Sequence, residues 1–395
     1  MMNSKIKFKI RLILVCLIIC GLSLAFFACD KKPERVTSKS SETSVSRSES
    51  SKMQSAVQSK EKIQHLKKEL DSNLTIDAEI ILPAKEQYST YPMTYQTLTG
   101  EELTNLFLQY DSSKKVVKIL PSGSLSVTTL NGASVISNRN SIRLKANERS
   151  SIMDSISLEF SNKLIESKTS KELSFMSQSE AAKNGMVLLQ SLKLSCNPAA
   201  NPRVVAITGE ELNNYQTELL KNSGYKNFPK TKVIKDLSEK DDAYYMQFSF
   251  QKDGLPVYNP NTEPVISMHN DDLFSPSPMN ARMILTSQGL RYLDVSGALS
   301  LNGKASEPKS IIPLAQAIDC LKKKYVDVIL TGSHIVNKVW LEYMIIQNSD
   351  TTYENAAFTL TPYWCFQMNV ANGNDTSIQA DRFNAFTGKD LGYGG

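Results

Sequence analysis

Histidine and tryptophan are scarce: three and two in 395 residues. His65, His269 and His334 lie far apart, and none has a second histidine at i+3 or i+4, so no local spacing supplies a zinc site. Six scattered cysteines exclude a zinc-finger array and a disulfide-dense mini-fold. No Gly-x-Ser-x-Gly elbow, Walker loop or dinucleotide glycine fingerprint occurs, so the chain calls for no cofactor. Ser333 adjoins His334, but chain neighbours do not aim at each other as nucleophile and base. A charge excess is missing too. Lys plus Arg total 45 against 40 Asp plus Glu, and setting aside Lys5, Lys7, Lys9 and Arg11 leaves 41 against 40. A near-neutral body argues against a nucleic-acid partner. What remains, 41% hydrophobic and 22% charged residues, suits a folded chain of two or three domains.

The first thirty residues carry an address. Lys5 to Arg11 is a basic n-region without an acidic residue, and Leu12 to Ala28 is an apolar run of 17 residues. That is short for a span of ~30 Å and placed as a secretory signal, with the positive end held on the cytoplasmic side. The run ends in Ala28-Cys29 and so resembles a bacterial lipoprotein signal, which implies cleavage before Cys29 and its diacylation. An uncleaved membrane helix with Cys29 at its outer edge is the alternative. Both place residues 30–395 outside the cytoplasm and anchored to the cell membrane. The lysine bias, 35 Lys against 10 Arg, points to a Gram-positive surface.

Residues 38–59 hold ten serines and little that is apolar, so they cannot offset their ordering entropy and read as a tether. Lys60 to Leu70 reads as a short charged helix, and Leu74–Leu82 alternates as a strand that opens the folded region. Thr99-Gly-Glu-Glu-Leu103 recurs as Thr208-Gly-Glu-Glu-Leu212, each heading a helical pattern. The spacing is that of a capping box, with Glu102 and Glu211 reaching back to the threonine. Capping explains these acids better than catalysis does. Ser177-Gln-Ser-Glu180 heads a third helix with Ala181, Met186, Leu189 and Leu192 as its apolar stripe. Ser310 precedes a fourth, with Leu314, Ala317, Ile318 and Leu321 at helical spacing.

The remainder reads as β. Tyr244–Phe250 alternates into an Asp253-Gly254 hairpin turn, and Met283–Val295 turns at Gln288-Gly289. Residues 338–346, 360–370 and 381–386 are three successive strands. Helix followed by antiparallel strands, twice over, predicts an α+β fold and disfavours a doubly wound receptor.

Chemistry is sparse. Asp241-Asp242 and Asp271-Asp272 lack the alternating oxygen ligands of an EF-hand loop and read as solvated turns, so no metal is expected. Cys16 and Cys20 fall in the leader, leaving Cys196, Cys320 and Cys365; the last two can meet, though buried thiols fit better. Trp340 and Trp364 read as core residues, while Tyr343 and Tyr363 are the candidate interaction residues, with Tyr363 facing outward beside Trp364.

From 305 to 393 the order is specific: a helix, a strand with Trp340-Leu-Glu-Tyr343, a Leu360-Thr-Pro-Tyr-Trp364 strand, and Phe383-Asn-Ala-Phe-Thr-Gly388. This resembles the closing unit of PepSY-like domains and of the YycH/YycI group of extracytoplasmic Firmicutes regulators. Residues 177–258 resemble a fainter copy, and the chain is similar in style to clostridial lipoproteins of unknown function. No catalytic position carries over. The implied domains are a signal at 1–28, a tether at 29–73, an α+β region at 74–176 and PepSY-like units at 177–300 and 301–395. The function expected is a non-catalytic binding or regulatory lipoprotein, anchored in the membrane, whose partner is a surface protein or cell-wall component. A small-ligand receptor is the alternative, and an extracytoplasmic hydrolase with dispersed catalytic residues comes third.

Overall fold

The structure is a computed structural model that describes residues 62–109, 112–147, 149–150, 153–154, 171–221, 233–259, 279–348, 357–373 and 375–391. All of these belong to the unit Ser59–Gly395. The leader, Cys29, the serine-rich tether and Asp271-Asp272 lie outside the described residues.

The smaller sheet draws on both ends of this unit. Its strands are β1 (Lys62–Asp71), β2 (Leu74–Leu82), β4 (Tyr91–Tyr95), β15 (Leu299–Leu301), β17 (Ser333–Gln347), β18 (Ala357–Asn372) and β19 (Asp375–Asn384). The order runs β1-β2-β17-β18-β4-β15, and the far edge of β18 is shared between β4 and β19. β2 and β17 pair in parallel, the other neighbours antiparallel. A two-stranded patch joins β3 (Gln87–Tyr88) to β16 (Lys309–Ser310).

The larger sheet is built from the middle of the chain. β5 (Lys115–Ile119), β6 (Leu125–Thr129), β7 (Ser134–Asn138) and β8 (Ser141–Lys145) form a meander at one end. β9 (Asn197–Pro198), β10 (Arg203–Ile207), β11 (Ala243–Lys252), β12 (Leu255–Pro256), β13 (Asn280–Thr286) and β14 (Gly289–Ser296) complete it. The order is β10-β11-β13-β14-β8-β7-β6-β5, with β9 and β12 on the end of β11.

Among the described residues, four helices cover these sheets: α1 (Gly100–Phe107), α2 (Gln178–Ser191), α3 (Gly209–Lys221) and α4 (Leu314–Tyr325). The period-two alternation of β11 assigns their sides. Tyr244, Met246, Phe248 and Phe250 join the main core with Leu103 of α1 and Ala181 and Leu189 of α2. Ala243 and Tyr245 point the other way, into a second cluster with Leu212 and Leu219 of α3. Gly185 lets α2 settle onto the sheet, because a Cβ there would lie 2.4 Å from Phe248 Cζ. On the smaller sheet Ala317, Ile318 and Leu321 of α4 pack with Trp364, Phe366 and Phe383.

The fold is α+β, as the patterning implies, and the closing order is α4, β17, β18, β19. Several local expectations change. Lys62–Asp71 is a strand, not a helix, because the edge of β2 satisfies its backbone in a ladder from Lys62↔Leu82 to Asp71↔Leu74. Ser310 pairs with Gln87 instead of capping α4, whose N-cap is Pro313 without a side-chain bond. The blocks 74–176, 177–300 and 301–395 also share sheets: β8 pairs β14, and β4 pairs both β15 and β18. Among the described residues, no helix is long and apolar enough to cross a membrane.

Candidate functional site

α1 and α2 lie side by side on the larger sheet, and both start at a capping box. Thr99 Oγ1 accepts from the Glu102 N–H at 3.2 Å while Glu102 Oε2 accepts the Thr99 N–H at 2.8 Å. Ser177 and Glu180 repeat this at 3.2 and 3.0 Å. The same bonds hold the pKa of both glutamates below the ordinary carboxylate range. Thr208 and Glu211 cap α3 alike. These acids are structural.

Between α1 and α2 runs a groove of about 330 Å³ lined by Asn105, Leu106, Gln109, Asn184, Val187, Leu188 and Ser191. Leu106 and Leu188 are half-buried, Val187 is exposed, and three amides and a hydroxyl stand around them. No lining residue is charged. Such a surface offers both hydrogen-bond donors and acceptors over an aliphatic base, which suits an uncharged polar ligand such as peptide main chain. The helices meet only in the folded chain, so the sequence held no signal for this groove beyond its caps.

Beside the C-terminal end of α2 the two sheets are joined. The Asp253-Gly254 turn has φ of 51° and 82°, as a two-residue hairpin of this type requires. Asp253 Oδ2 accepts from Tyr91 Oη at 2.5 Å and from Tyr343 Oη at 3.2 Å, and Tyr343 Oη also reaches Ser89 O at 3.0 Å. Burial first, then the nearby Asp253 carboxylate, raises both phenols far above their ordinary pKa, so each stays a donor. Lys252 Nζ lies 4.4 Å over the Tyr91 ring and donates to Ser195 O at 3.0 Å. Next to it, burial pushes the Cys196 thiol up to about 11. Tyr343 is therefore a fastening between sheets, wholly buried, and presents nothing at the surface.

Tyr363 lies opposite Trp364, as alternation demands, but that face is covered too. Tyr363 packs with Tyr258 and Met344, leaving 7% of it exposed. On the same face Arg382 Nε donates to Glu342 Oε1 at 2.7 Å, Trp340 Nε1 donates to Glu342 Oε2 at 3.0 Å, and the guanidinium lies 4.3 Å over the Tyr258 ring. Trp340 and Trp364 are both buried. The tyrosine pair thus lines two interior clusters. The sequence shows which way each side chain points and cannot show what covers it.

Two acidic groups remain. Asp241 is buried rather than solvated: it accepts from Arg149 Nε and Nη2, both at 2.7 Å, and closes a turn with Ser238 N–H at 3.0 Å. Asp154 and Asp294 are buried around Arg282, whose Nη1 lies 3.7 Å from Asp154 and Nη2 2.8 Å from Asp294, with Arg143 also on Asp294 at 3.1 Å. Burial raises the Asp154 pKa despite that arginine. Two guanidiniums neutralise two carboxylates here. Among the described residues, no three His, Cys, Asp or Glu side chains gather as a metal site.

No family model matches the chain, and no curated protein is similar to it. Its architecture, helices on two antiparallel-rich sheets sharing one core, is nevertheless found among solved structures. An uncharacterised protein from Eubacterium rectale ATCC 33656 is similar in shape at 14% identity and a TM-score of 0.52, over 84% of this chain and 94% of that one. A Bacillus megaterium YpeB C-terminal domain matches at 10% identity and a TM-score of 0.26, over 75% of this chain and 97% of that one. The first likeness is one of fold; the second is too slight to build on.

Proposed function

We propose that this chain is a membrane-anchored extracytoplasmic lipoprotein whose α+β body serves as a non-catalytic binding or regulatory module. Its partner is a surface protein or a cell-wall component. The observation that carries the reading is the basic, then apolar leader ending at Ala28-Cys29, followed by the serine-rich residues 38–59. Two acyl chains on Cys29 would hold the chain to the bilayer where one would not. The uncharged groove between α1 and α2 supports a binding role. Its volume of about 330 Å³ also favours a second reading, a receptor for a small polar ligand.

Metabolic labelling with a clickable fatty acid tests the anchor: label enters the wild-type chain and not Cys29→Ala. Equal labelling of both sinks the lipoprotein assignment. Crosslinking in intact membranes, followed by purification, tests the module. A specific protein or glycan is expected, and recovery of bulk lipoproteins alone counts against it.

A further inference from the structure

We propose that the outer edge of β5 receives an extended strand from another polypeptide, one that alternates apolar and acidic residues. β5 reads Lys115-Val-Val-Lys-Ile119 and ends the larger sheet, with β6 its only partner among the described residues. The Leu120 N–H donates to Ser124 O at 2.8 Å, which fixes the phase of the ladder. By alternation Lys118 bonds inward to β6, and the N–H and C=O of Val117 and Ile119 point outward.

The side chains match that edge. Val117 shares a face with α1: its Cγ1 lies 3.0 Å from where a Cβ on Gly100 would stand, and its ladder partner Val127 is wholly buried. Yet Val117 is 53% exposed and Ile119 79%, because nothing described lies beyond them. On the opposite face Lys118 is exposed and stands across from Ser126, so no acid answers it in the ladder. One added strand would cover both apolar side chains with its own apolar residues and set an acidic residue opposite Lys118.

The β1 edge of the smaller sheet differs. β1 exposes Gln64, His65, Lys67, Lys68 and Glu69, and Asp77 of β2 binds His65 and Lys67 at 2.8 and 3.3 Å. That edge is blunted by polar side chains. A second copy of β5 is the poorer occupant, since it would bring two lysine-bearing strands to one seam.

This inference deepens the binding-module reading and rests on it, but not on the lipid. A Cys29 that takes no label leaves it standing, and a failed peptide leaves the anchor standing. The full chain in detergent micelles is titrated into fluorescein-labelled (Glu-Val)4, with (Lys-Val)4 as comparator, and anisotropy is read. Saturable binding of the acidic peptide is expected, stronger by on the order of tenfold than that of the basic one. Lys118→Glu should invert the preference. Val117→Pro should abolish binding while thermal unfolding stays in place, because proline at an outward amide removes no ladder bond. Equal affinity for both peptides, or affinity indifferent to Lys118→Glu and Val117→Pro, overturns the proposal. So does self-association that excludes the probe and vanishes in Val117→Pro, which would give the edge to a second copy.

Discussion

Tyr91 donates its hydroxyl hydrogen to Asp253 across 2.5 Å, and the bond ties a hairpin tip of the larger sheet to a strand of the smaller one. Tyr343 bonds to the same oxygen. Asp253→Ala takes the carboxylate acceptor from Tyr91, leaves Tyr343 only Ser89 O, and puts an ordinary side chain at φ 51°. A loss of about 2–4 kcal/mol in urea unfolding is expected, from the unsatisfied Tyr91 donor plus left-handed strain. Asp253→Asn keeps an acceptor and tolerates that backbone, so it should lose roughly 1 kcal/mol. Equal losses would show that the joint does not depend on this carboxylate.

The pair Arg382–Glu342 is the most enclosed in the smaller sheet, with 3% and 2% of each residue exposed. Removing one member leaves a buried charge without its counterpart. Arg382→Met and Glu342→Leu should each cost about 3–5 kcal/mol, and the double variant clearly less than their sum. A double-mutant cycle in denaturant measures this; additive losses would mean that the two side chains act independently.

Asp154 gives a pH signature of opposite sign to the helix caps. Its folded pKa is raised by burial, so the fold takes up a proton there and this site gains stability as pH falls. Glu102 and Glu180, whose pKa values are lowered, contribute above the ordinary carboxylate range and lose that contribution on acidification. Asp154→Asn removes the first effect only, since Arg282 keeps Asp294. The difference between variant and wild type at pH 7 should therefore shrink as pH is lowered towards the ordinary carboxylate range. A pH-independent difference in unfolding midpoints would refute it.

These interior clusters mark the limit of what the chain discloses by itself. The capping boxes at Thr99, Ser177 and Thr208, strand 74–82 and the turns at Asp253-Gly254 and Gln288-Gly289 are local, and local spacing carries them. Lys62–Asp71 is not: Leu66 and Leu70 suit a helix, and only the ladder with β2 makes the segment a strand. Likewise β8 finds β14 about 150 residues away, a pairing no window of sequence contains. The groove depends on two helices separated by some 70 residues, and the burial of Tyr343 on a hairpin from the other sheet.

The thiols follow the same logic. Cys365 pairs across the ladder with Trp340 and Arg382, so it shares their face, while Trp364 and Phe366 on either side point towards α4. Cys320 stands on α4, its Sγ 2.7 Å from where a Cβ on Gly388 would lie. The β-sheet therefore separates the two cysteines, and neither is in a disulfide, nor is Cys196. Oxidised and reduced samples should have the same mass after unfolding and alkylation. In the native chain, Cys320 is half-buried and should react slowly with a maleimide, whereas the buried Cys196 and Cys365 react only on unfolding. A crosslinked Cys320–Cys365 peptide in a tryptic digest would mean that α4 leaves its sheet.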